Sequence, residues 1–201
     1  EKHCKILEEV VSLPTAPFYE EKVIEYIQKF SKEHNFTLSQ DPYGNQRIEY
    51  KNTQYCIPLG IMAHMDHPGF VIEGMEKQYL KLRALGGVVA LQKGDKLWLF
   101  ADSKETLVTV VSTQKEEETD SSPSYVLVKG YKPKTMRGFA MYTLEPYRLE
   151  QNIVYGRAMD DLAGCAALLA LLSIIAEQKP KAHLHVLFSR AEETGFIGTA
   201  A

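Results

Sequence analysis

A short acidic stretch near the end of the chain decides the fold: Ser189-Arg190-Ala191-Glu192-Glu193-Thr194-Gly195. It follows the apolar run 183–188, which is typical of a buried strand. Loops that leave the carboxyl ends of strands carry the chemistry of open α/β sheets. Neighbouring residues at a strand end point in different directions, so Glu192 and Glu193 could divide the work of holding a cation and moving protons. An isolated Glu-Glu pair is more often a solvated loop, so this hypothesis needs support from elsewhere in the chain.

The composition indicates a globular protein. A chain of 201 residues with 45% hydrophobic and 24% charged residues is long enough and apolar enough to bury a sizeable core. A net charge of −3 gives no electrostatic reason to expect a nucleic-acid or anionic-membrane partner. The apolar stretch 162–176 is shorter than the roughly 20 residues of a membrane span, and Gly164 and Ser173 interrupt it. It therefore predicts a buried helix.

The cysteines and the first residues indicate the compartment. Cys4, Cys56 and Cys165 are widely spaced and form no pair with metal-binding spacing. This usage is typical of a reducing compartment, where Cys56 and Cys165 would be small buried hydrophobes. The first residues are charged and do not resemble a signal peptide, and the initial Glu1 indicates a trimmed start. We therefore expect a cytoplasmic protein.

The two ends of the chain have α/β character. Before residue 69, the hydrophobic spacing predicts helices over 6–13 and 20–34 and strands over 36–38, 47–50 and 55–62. After Pro146 it predicts a strand over 152–155, a helix over 162–178 and a strand from His183. The turn Asp41–Asn45 separates the first two strands, and Pro58 makes the start of the third uncertain.

The middle of the chain is different, because short strand-like runs alternate with glycines and show no helical period. These runs cover 70–72, 79–83, 96–100, 107–112, 125–129 and 139–144. The acidic segment 114–124 is typical of a mobile loop. We therefore predict a catalytic α/β domain over 1–69 and 146–201, interrupted by an inserted β domain over 70–145.

Two further polar clusters follow predicted strands. His64 comes after the strand that ends at Met62 and could bind a metal, with Asp66 orienting its imidazole. Asp160 and Asp161 precede a helix, where the simplest role of an aspartate is that of an N-cap. Each cluster is a weak signal by itself. Together with the Glu-Glu pair they form a cysteine-free set of ligands that fits zinc, cobalt or manganese, and a bridging carboxylate with a free glutamate fits a two-metal hydrolase.

The three clusters, in this order and with a β insertion between the first two, resemble the deblocking or glutamyl aminopeptidase family of dinuclear metallopeptidases with tetrahedral assemblies. The resemblance covers nearly the whole chain and includes the Asp41–Asn45 turn and the Gly86-Gly87 pair. It implies an α/β fold with a zinc-exopeptidase-like, three-layer α/β/α core, incomplete at the carboxyl terminus, and an inserted all-β, barrel-like domain.

The resemblance also implies roles for individual residues. His64 would bind one metal, Asp160 would bridge both metals and Glu193 would bind the second. Glu192 would be the general base, and Asp66 would orient His64.

Related enzymes have a cis peptide at the position between Asp160 and Asp161. Two positions depart from the family pattern: His67 replaces an acidic residue, and Leu162 replaces an Arg, Lys or Asn. They put the substrate preference and the choice of metal in question.

The implied activity is that of a metallo-aminopeptidase, which removes N-terminal residues from short peptides with a water bridged by two divalent ions, most often zinc or cobalt. Further Asp and His ligands would follow Ala201, so we expect an N-terminal portion that is inactive alone. The full-length protein is expected to be a homo-oligomer, often a dodecamer in this family. Two alternatives stay open: a related amidohydrolase or carboxypeptidase of the same core, and a non-catalytic homologue that acts as an assembly scaffold.

His183 and His185 alternate along the last predicted strand and share one face of it. Such a pair on a strand can bind a metal, but because these histidines lie before the strand end, we favour the alternative that they pack under a helix or face solvent at an edge.

Overall fold

The computed structural model describes residues 2–54, 57–117 and 122–200. Cys56 and part of the predicted loop 114–124 therefore lie outside the described residues. The helices are α1 (Lys2–Val11), α2 (Glu21–Glu33) and α3 (Met159–Gln178). The strands are β1 (Thr37–Gln40), β2 (Gln46–Lys51), β3 (Leu59–His64), β4 (Gly69–Glu76), β5 (Tyr79–Leu85), β6 (Lys96–Ala101), β7 (Lys104–Gln114), β8 (Tyr125–Lys129), β9 (Gly138–Tyr142), β10 (Tyr147–Glu150), β11 (Ile153–Gly156) and β12 (His183–Ser189).

A four-stranded sheet with the order β1-β2-β12-β3 forms the centre of the α/β part. β12 runs antiparallel to β2 and parallel to β3, with Ser189 opposite His64. Parallel neighbours end at the same edge of a sheet, and Met65 N–H donates to the Ser189 carbonyl at 2.8 Å just beyond that edge. The loops after β3 and β12 therefore start side by side.

The three helices cover one face of this sheet. Alternate side chains of the two middle strands, including Ile48, Val186 and Phe188, are fully buried in one core with residues of all three helices. The intervening residues of β12, such as His183 and His185, are only partly buried on the opposite face. The described residues thus supply the sheet and one helix layer of the predicted three-layer core.

Helix α3 is the longest helix, and by length and composition it could cross a membrane, a test that core helices of soluble proteins also pass. Its 20 residues extend beyond the apolar stretch 162–176 on both sides, so the whole helix reaches the length of a membrane span although that stretch does not. Its side chains at Leu162, Leu169 and Leu172 are fully buried in the core, together with Cys165. The prediction of a core helix with a buried Cys165 is confirmed.

The strands from Gly69 to Tyr142 form a closed barrel with the order β4-β5-β8-β7-β6-β9. Its interior is filled by alternating aliphatic side chains and Phe70. A separate small cluster, in which Ala16 packs with Phe139 and Met141, joins the barrel to the α/β part. The predicted mixed α/β fold with an inserted barrel is confirmed, whereas the exact domain limits remain a prediction.

Two strands differ from the sequence-based expectation. β3 begins at Leu59, because Pro58 has no N–H group to donate to a sheet, and it continues to His64. β10 was not predicted; it pairs with β11 in a two-stranded hairpin whose side chains are largely exposed, so it carries little hydrophobic alternation.

Candidate active site

His64 occupies the centre of a polar cluster at the common end of β3 and β12. Its side chain is 11% exposed, and its Nδ1 atom lies 3.2 Å from the Asp66 carbonyl and 3.4 Å from the Asp66 carboxylate. The other ring nitrogen, Nε2, lies 3.2 Å from Asp160 Oδ1 and 3.7 Å from Glu192 Oε2. The contact through Nδ1 orients the ring so that Nε2 faces the carboxylates.

Asp66 fixes the acidic loop after β12. Its fully buried carboxylate accepts the backbone N–H of Glu192 through Oδ1 and that of Glu193 through Oδ2, both at 3.0 Å. These two hydrogen bonds hold the short 3₁₀ turn Glu192–Thr194 against the residues that follow β3. Asp66 thus contacts both His64 and the loop that carries the two glutamates.

The two glutamates and His64 lie close together. A ring nitrogen of His64, one carboxylate oxygen of Glu192 and one carboxylate oxygen of Glu193 all lie within 4.8 Å of one another. The Asp160 side chain is 90% exposed and reaches His64 from the start of α3. The structure therefore brings together every residue that the sequence indicated for the site: His64, Asp66, Asp160, Glu192 and Glu193. Their individual roles remain predictions.

Asp161 has a structural position next to this cluster. Its carboxylate accepts the backbone N–H of His64 at 3.3 Å and that of Gly164 at 3.1 Å, so it caps the regular part of α3 and ties the helix to β3. The peptide between Asp160 and Asp161 is cis, as the resemblance implied. Of the two aspartates, only Asp160 contacts the imidazole.

The cluster carries an excess of negative charge. Burial alone would lower the pKa of His64, but the hydrogen bond and charge of Asp66, with the charges of Glu192 and Asp161, raise that pKa to about 9. Burial raises the pKa of Glu193; the charge of His64 opposes this effect, and the neighbouring carboxylates reinforce it. One imidazole nitrogen facing three carboxylates is a donor set that fits a divalent ion of the zinc or cobalt type.

The barrel contributes one wall of the site. Gly86 has φ +81° and lies against Glu193: a Cβ atom there would be 3.0 Å from Glu193 Cβ and 3.2 Å from Pro68 Cα. This close approach, together with the positive φ, accounts for a glycine at the position. An open cavity of about 400 Å³ begins beside it. The lining residues are His67, Pro68, Gly87, Gly156, Arg157, Met159, Asp160 and Glu193.

The two departures from the family pattern have different environments. His67 is 7% exposed, lines the cavity and has its Nε2 atom 2.9 Å from the Arg157 carbonyl. Burial lowers the pKa of His67, so a neutral ring donates this hydrogen bond at neutral pH. Leu162, near the start of α3, is fully buried in the core and does not line the cavity. Of the two, only His67 is placed to affect a ligand.

A larger cleft, of about 660 Å³, lies between the start of α2 and the β6–β7 edge of the barrel. Its lining includes Tyr19, Lys22, Phe100 and Arg137. It contains none of the residues of the polar cluster, so its size does not make it the candidate active site.

Two residues that hold the acidic loop were not predicted from the sequence. The fully buried carboxylate of Glu20 lies 2.6 Å from the Arg190 guanidinium and accepts the Ala191 N–H at 3.0 Å. Asn45 donates to the Gly198 carbonyl at 2.7 Å and accepts the Arg190 N–H at 2.9 Å. In the sequence, Glu20 resembles an ordinary acidic residue at the start of the predicted helix 20–34. The only available signal for Asn45 was its place in the turn Asp41–Asn45.

Comparison with known proteins supports the fold. Residues 136–201 match the family model described as M42 glutamyl aminopeptidase. The Pyrococcus horikoshii TET1 peptidase can assemble into a tetrahedron or a large octahedral shell. It is 22% identical to this chain with a TM-score of 0.79, and the match covers 98% of this chain and 63% of that chain. An aminopeptidase from Desulfurococcus kamchatkensis is 19% identical with a TM-score of 0.79. The match covers 98% of this chain and 58% of that chain.

A TET aminopeptidase from a marine sediment Thaumarchaeota archaeon has a TM-score of 0.80 at 15% identity, over 98% of this chain and 61% of that chain. The chain thus spans about three fifths of the length of these solved structures. Identities this low show the fold alone, and the family model adds the match over the part that carries Asp160, Glu192 and Glu193. The predicted resemblance is therefore confirmed: this chain has the fold of the TET peptidases, and its last third matches the M42 glutamyl aminopeptidases.

Proposed function

We propose that the protein containing this chain is a metal-dependent aminopeptidase that removes N-terminal residues from short peptides. The observation that carries the proposal is the convergence of His64, Glu192 and Glu193 within 4.8 Å at the shared end of two parallel strands, with Asp160 in contact with His64. Ligands of open α/β sheets bind at such strand ends. The match to the aminopeptidase family model supports the reaction class.

Three side chains would hold the divalent ions, zinc or cobalt. His64 would bind through Nε2, Glu193 through its carboxylate, and the exposed Asp160 carboxylate would bridge two ions. When bound, such ions polarise the scissile carbonyl and make water a better nucleophile at neutral pH. The excess of carboxylates around His64, which raises the pKa of its ring to about 9, would be offset by these cations.

Glu192 would carry the proton of the reaction. Its carboxylate lies 3.7 Å from His64 Nε2, and its backbone N–H is fixed by the buried Asp66. In this position it would take a proton from the attacking water and pass it to the amine of the leaving peptide, so the carboxylate is regenerated after each cycle. Asp66 would act through its neighbours, because its own carboxylate is engaged with two backbone N–H groups and His64.

The cavity beside the cluster is the proposed position of the substrate's N-terminal residue. Asp160 and Glu193 both line it, so a free α-amino group bound there would meet carboxylates. We also propose that the full-length protein forms a homo-oligomer, because the structurally similar TET1 peptidase of Pyrococcus horikoshii can assemble into a tetrahedron or a large octahedral shell. A cytoplasmic location is proposed from the three widely spaced cysteines alone.

The role of Glu192 is tested by Glu192→Gln in the full-length natural protein. With zinc or cobalt added, we expect hydrolysis of aminoacyl substrates to fall about 100- to 10,000-fold while the bound metal stays at the wild-type level. The matched control is Glu25→Gln on the exposed face of α2, which should keep full activity. Wild-type turnover in Glu192→Gln would disprove the assigned base.

A substrate panel separates the alternatives. Cleavage of peptides with free amino termini but not of acylated ones supports an aminopeptidase, whereas the reverse preference supports a related amidohydrolase. A full-length protein that binds less than one metal ion per chain at neutral pH after reconstitution would instead favour the non-catalytic scaffold.

A further inference from the structure

A second cluster of metal-ligating side chains lies on the sheet face opposite the three helices. His183 and His185 of β12 point to this face, and Glu49 of β2 lies directly opposite His185 in the antiparallel pair. One ligand atom from each of these three residues, a ring nitrogen or a carboxylate oxygen, lies within 4.8 Å of the other two. His185 is four residues before Ser189, which places this cluster about 13 Å along the strand from the candidate active site.

An ordinary ion pair explains only part of this cluster. His183 Nε2 lies 3.0 Å from Glu49 Oε1, and the two imidazole rings are 4.8 Å apart between centroids. This contact leaves out His185, whose buried Nδ1 atom has no hydrogen-bond partner among the described residues. Buried ring nitrogens usually have a partner, so an unpaired one beside a second imidazole and a carboxylate indicates a missing ligand.

The chemistry of the three groups selects the ligand. Two imidazoles and one carboxylate are typical donors for zinc and other borderline transition-metal ions, whereas calcium and magnesium prefer oxygen alone. Zinc binds histidine nitrogen and carboxylate oxygen at about 2.0–2.2 Å, so its ligand atoms lie about 3.3 Å apart in a tetrahedral site. The His183–Glu49 distance of 3.0 Å is already close to this spacing, and a ligand atom of His185 lies within 4.8 Å of the other two.

We propose that His183, His185 and Glu49 form a zinc-class metal site on the face of the sheet opposite the helices, separate from the candidate active site. The ion takes the place of the direct His183–Glu49 contact, and water completes its coordination. Lys51 lies opposite His183 and Arg47 opposite Leu187 on the neighbouring strand, and their positive charges limit the affinity. The bound ion ties β2 to β12, the strands that connect to the turn Asp41–Asn45 and to the acidic loop.

Zinc stoichiometry tests the site. Bound metal is removed from the full-length protein with EDTA. The protein is then loaded with zinc chloride, desalted and analysed for metal content by mass spectrometry. We expect His185→Gln and His183→Gln each to bind one zinc fewer per chain than wild type, and to lose the corresponding class of sites in a calorimetric zinc titration. Because the readout is the difference in zinc content, it does not depend on peptidase activity.

Two further variants make the result decisive. His3→Gln removes an exposed histidine from α1 and should keep the wild-type zinc content. Glu49→Gln keeps an acceptor for His183 but removes the charged ligand, so we expect zinc binding at this site to weaken at least about tenfold; this variant decides the question if a histidine variant fails to fold by circular dichroism. Equal zinc content and equal zinc titrations in wild type and the folded variants would overturn the proposal.

Discussion

Glu20 and Arg190 form an ion pair across 170 residues of chain, with a carboxylate oxygen of the fully buried Glu20 2.6 Å from the Arg190 guanidinium. Burial raises the pKa of Glu20, and the charge and hydrogen bond of Arg190 oppose that shift. The pair joins the segment before α2 to the loop that carries Glu192 and Glu193. The position of the proposed general base therefore depends on a side chain from the other end of the chain.

Breaking this pair from one side should be costly. Arg190→Met leaves the carboxylate of Glu20 buried and unpaired, so we expect the free energy of unfolding to fall by about 3–5 kcal/mol in urea titrations. Glu20→Gln retains an acceptor for the Ala191 N–H but loses the charge. Because both changes remove the same interaction, the double variant should be less destabilised than the sum of the single variants. Additive effects would show that the pair contributes no coupling energy.

Asp66→Asn tests the fixation of the acidic loop. The asparagine has one acceptor oxygen, so one of the N–H groups of Glu192 and Glu193 would face an amide NH₂ group. We expect metal affinity in the candidate active site to fall about 10- to 100-fold, as for other side chains that orient metal ligands. Asp102→Asn is the matched control, because Asp102 also accepts backbone N–H groups, those of Lys134 and Thr135, but in the barrel. Equal metal affinity in the two variants would contradict the role of Asp66.

Local patterns in the sequence predicted the elements and the three clusters, because a strand followed by polar residues is recognisable over a few positions. His64, Asp160 and the glutamates were identified in this way. The residues that hold them were not, since Glu20 and Asn45 act through contacts more than 140 residues away in the chain. The closure of the barrel against Glu193 through Gly86 is likewise a property of tertiary structure.

The two positions that depart from the family pattern show the same limit of prediction from local sequence. The sequence placed His67 and Leu162 near the site, which is a statement about chain position. The direction of each side chain is set by the register of the strand or helix and by what packs beneath it. Only the structure separates a residue that lines the cavity from one that fills the core.

Leu162 is therefore expected to matter for stability. This residue of α3 is fully buried in the core, so Leu162→Ala should lower the free energy of unfolding by about 2–5 kcal/mol through lost contacts and a cavity. Leu171→Ala on the same helix is the control: this side chain is 37% exposed, and we expect a loss below about 1 kcal/mol. Chemical denaturation of the two variants measures the difference. A similar loss in both would show that Leu162 does not have the buried environment described above.

His67 should make stability depend on pH. Burial holds the pKa of His67 in the folded protein below its usual value of about 6.5, so in the window below that pH the unfolded chain binds more protons than the folded one. Its contribution to stability is thus present above about pH 6.5 and is lost as the pH falls towards the folded-state pKa. In EDTA, the free energy of unfolding of wild type should decrease more steeply between pH 7 and 5 than that of His67→Gln. His3→Gln, on exposed α1, is the matched control for removing an imidazole. Parallel curves for wild type and His67→Gln would mean that the ring is protonated as easily in the folded protein as in the unfolded chain.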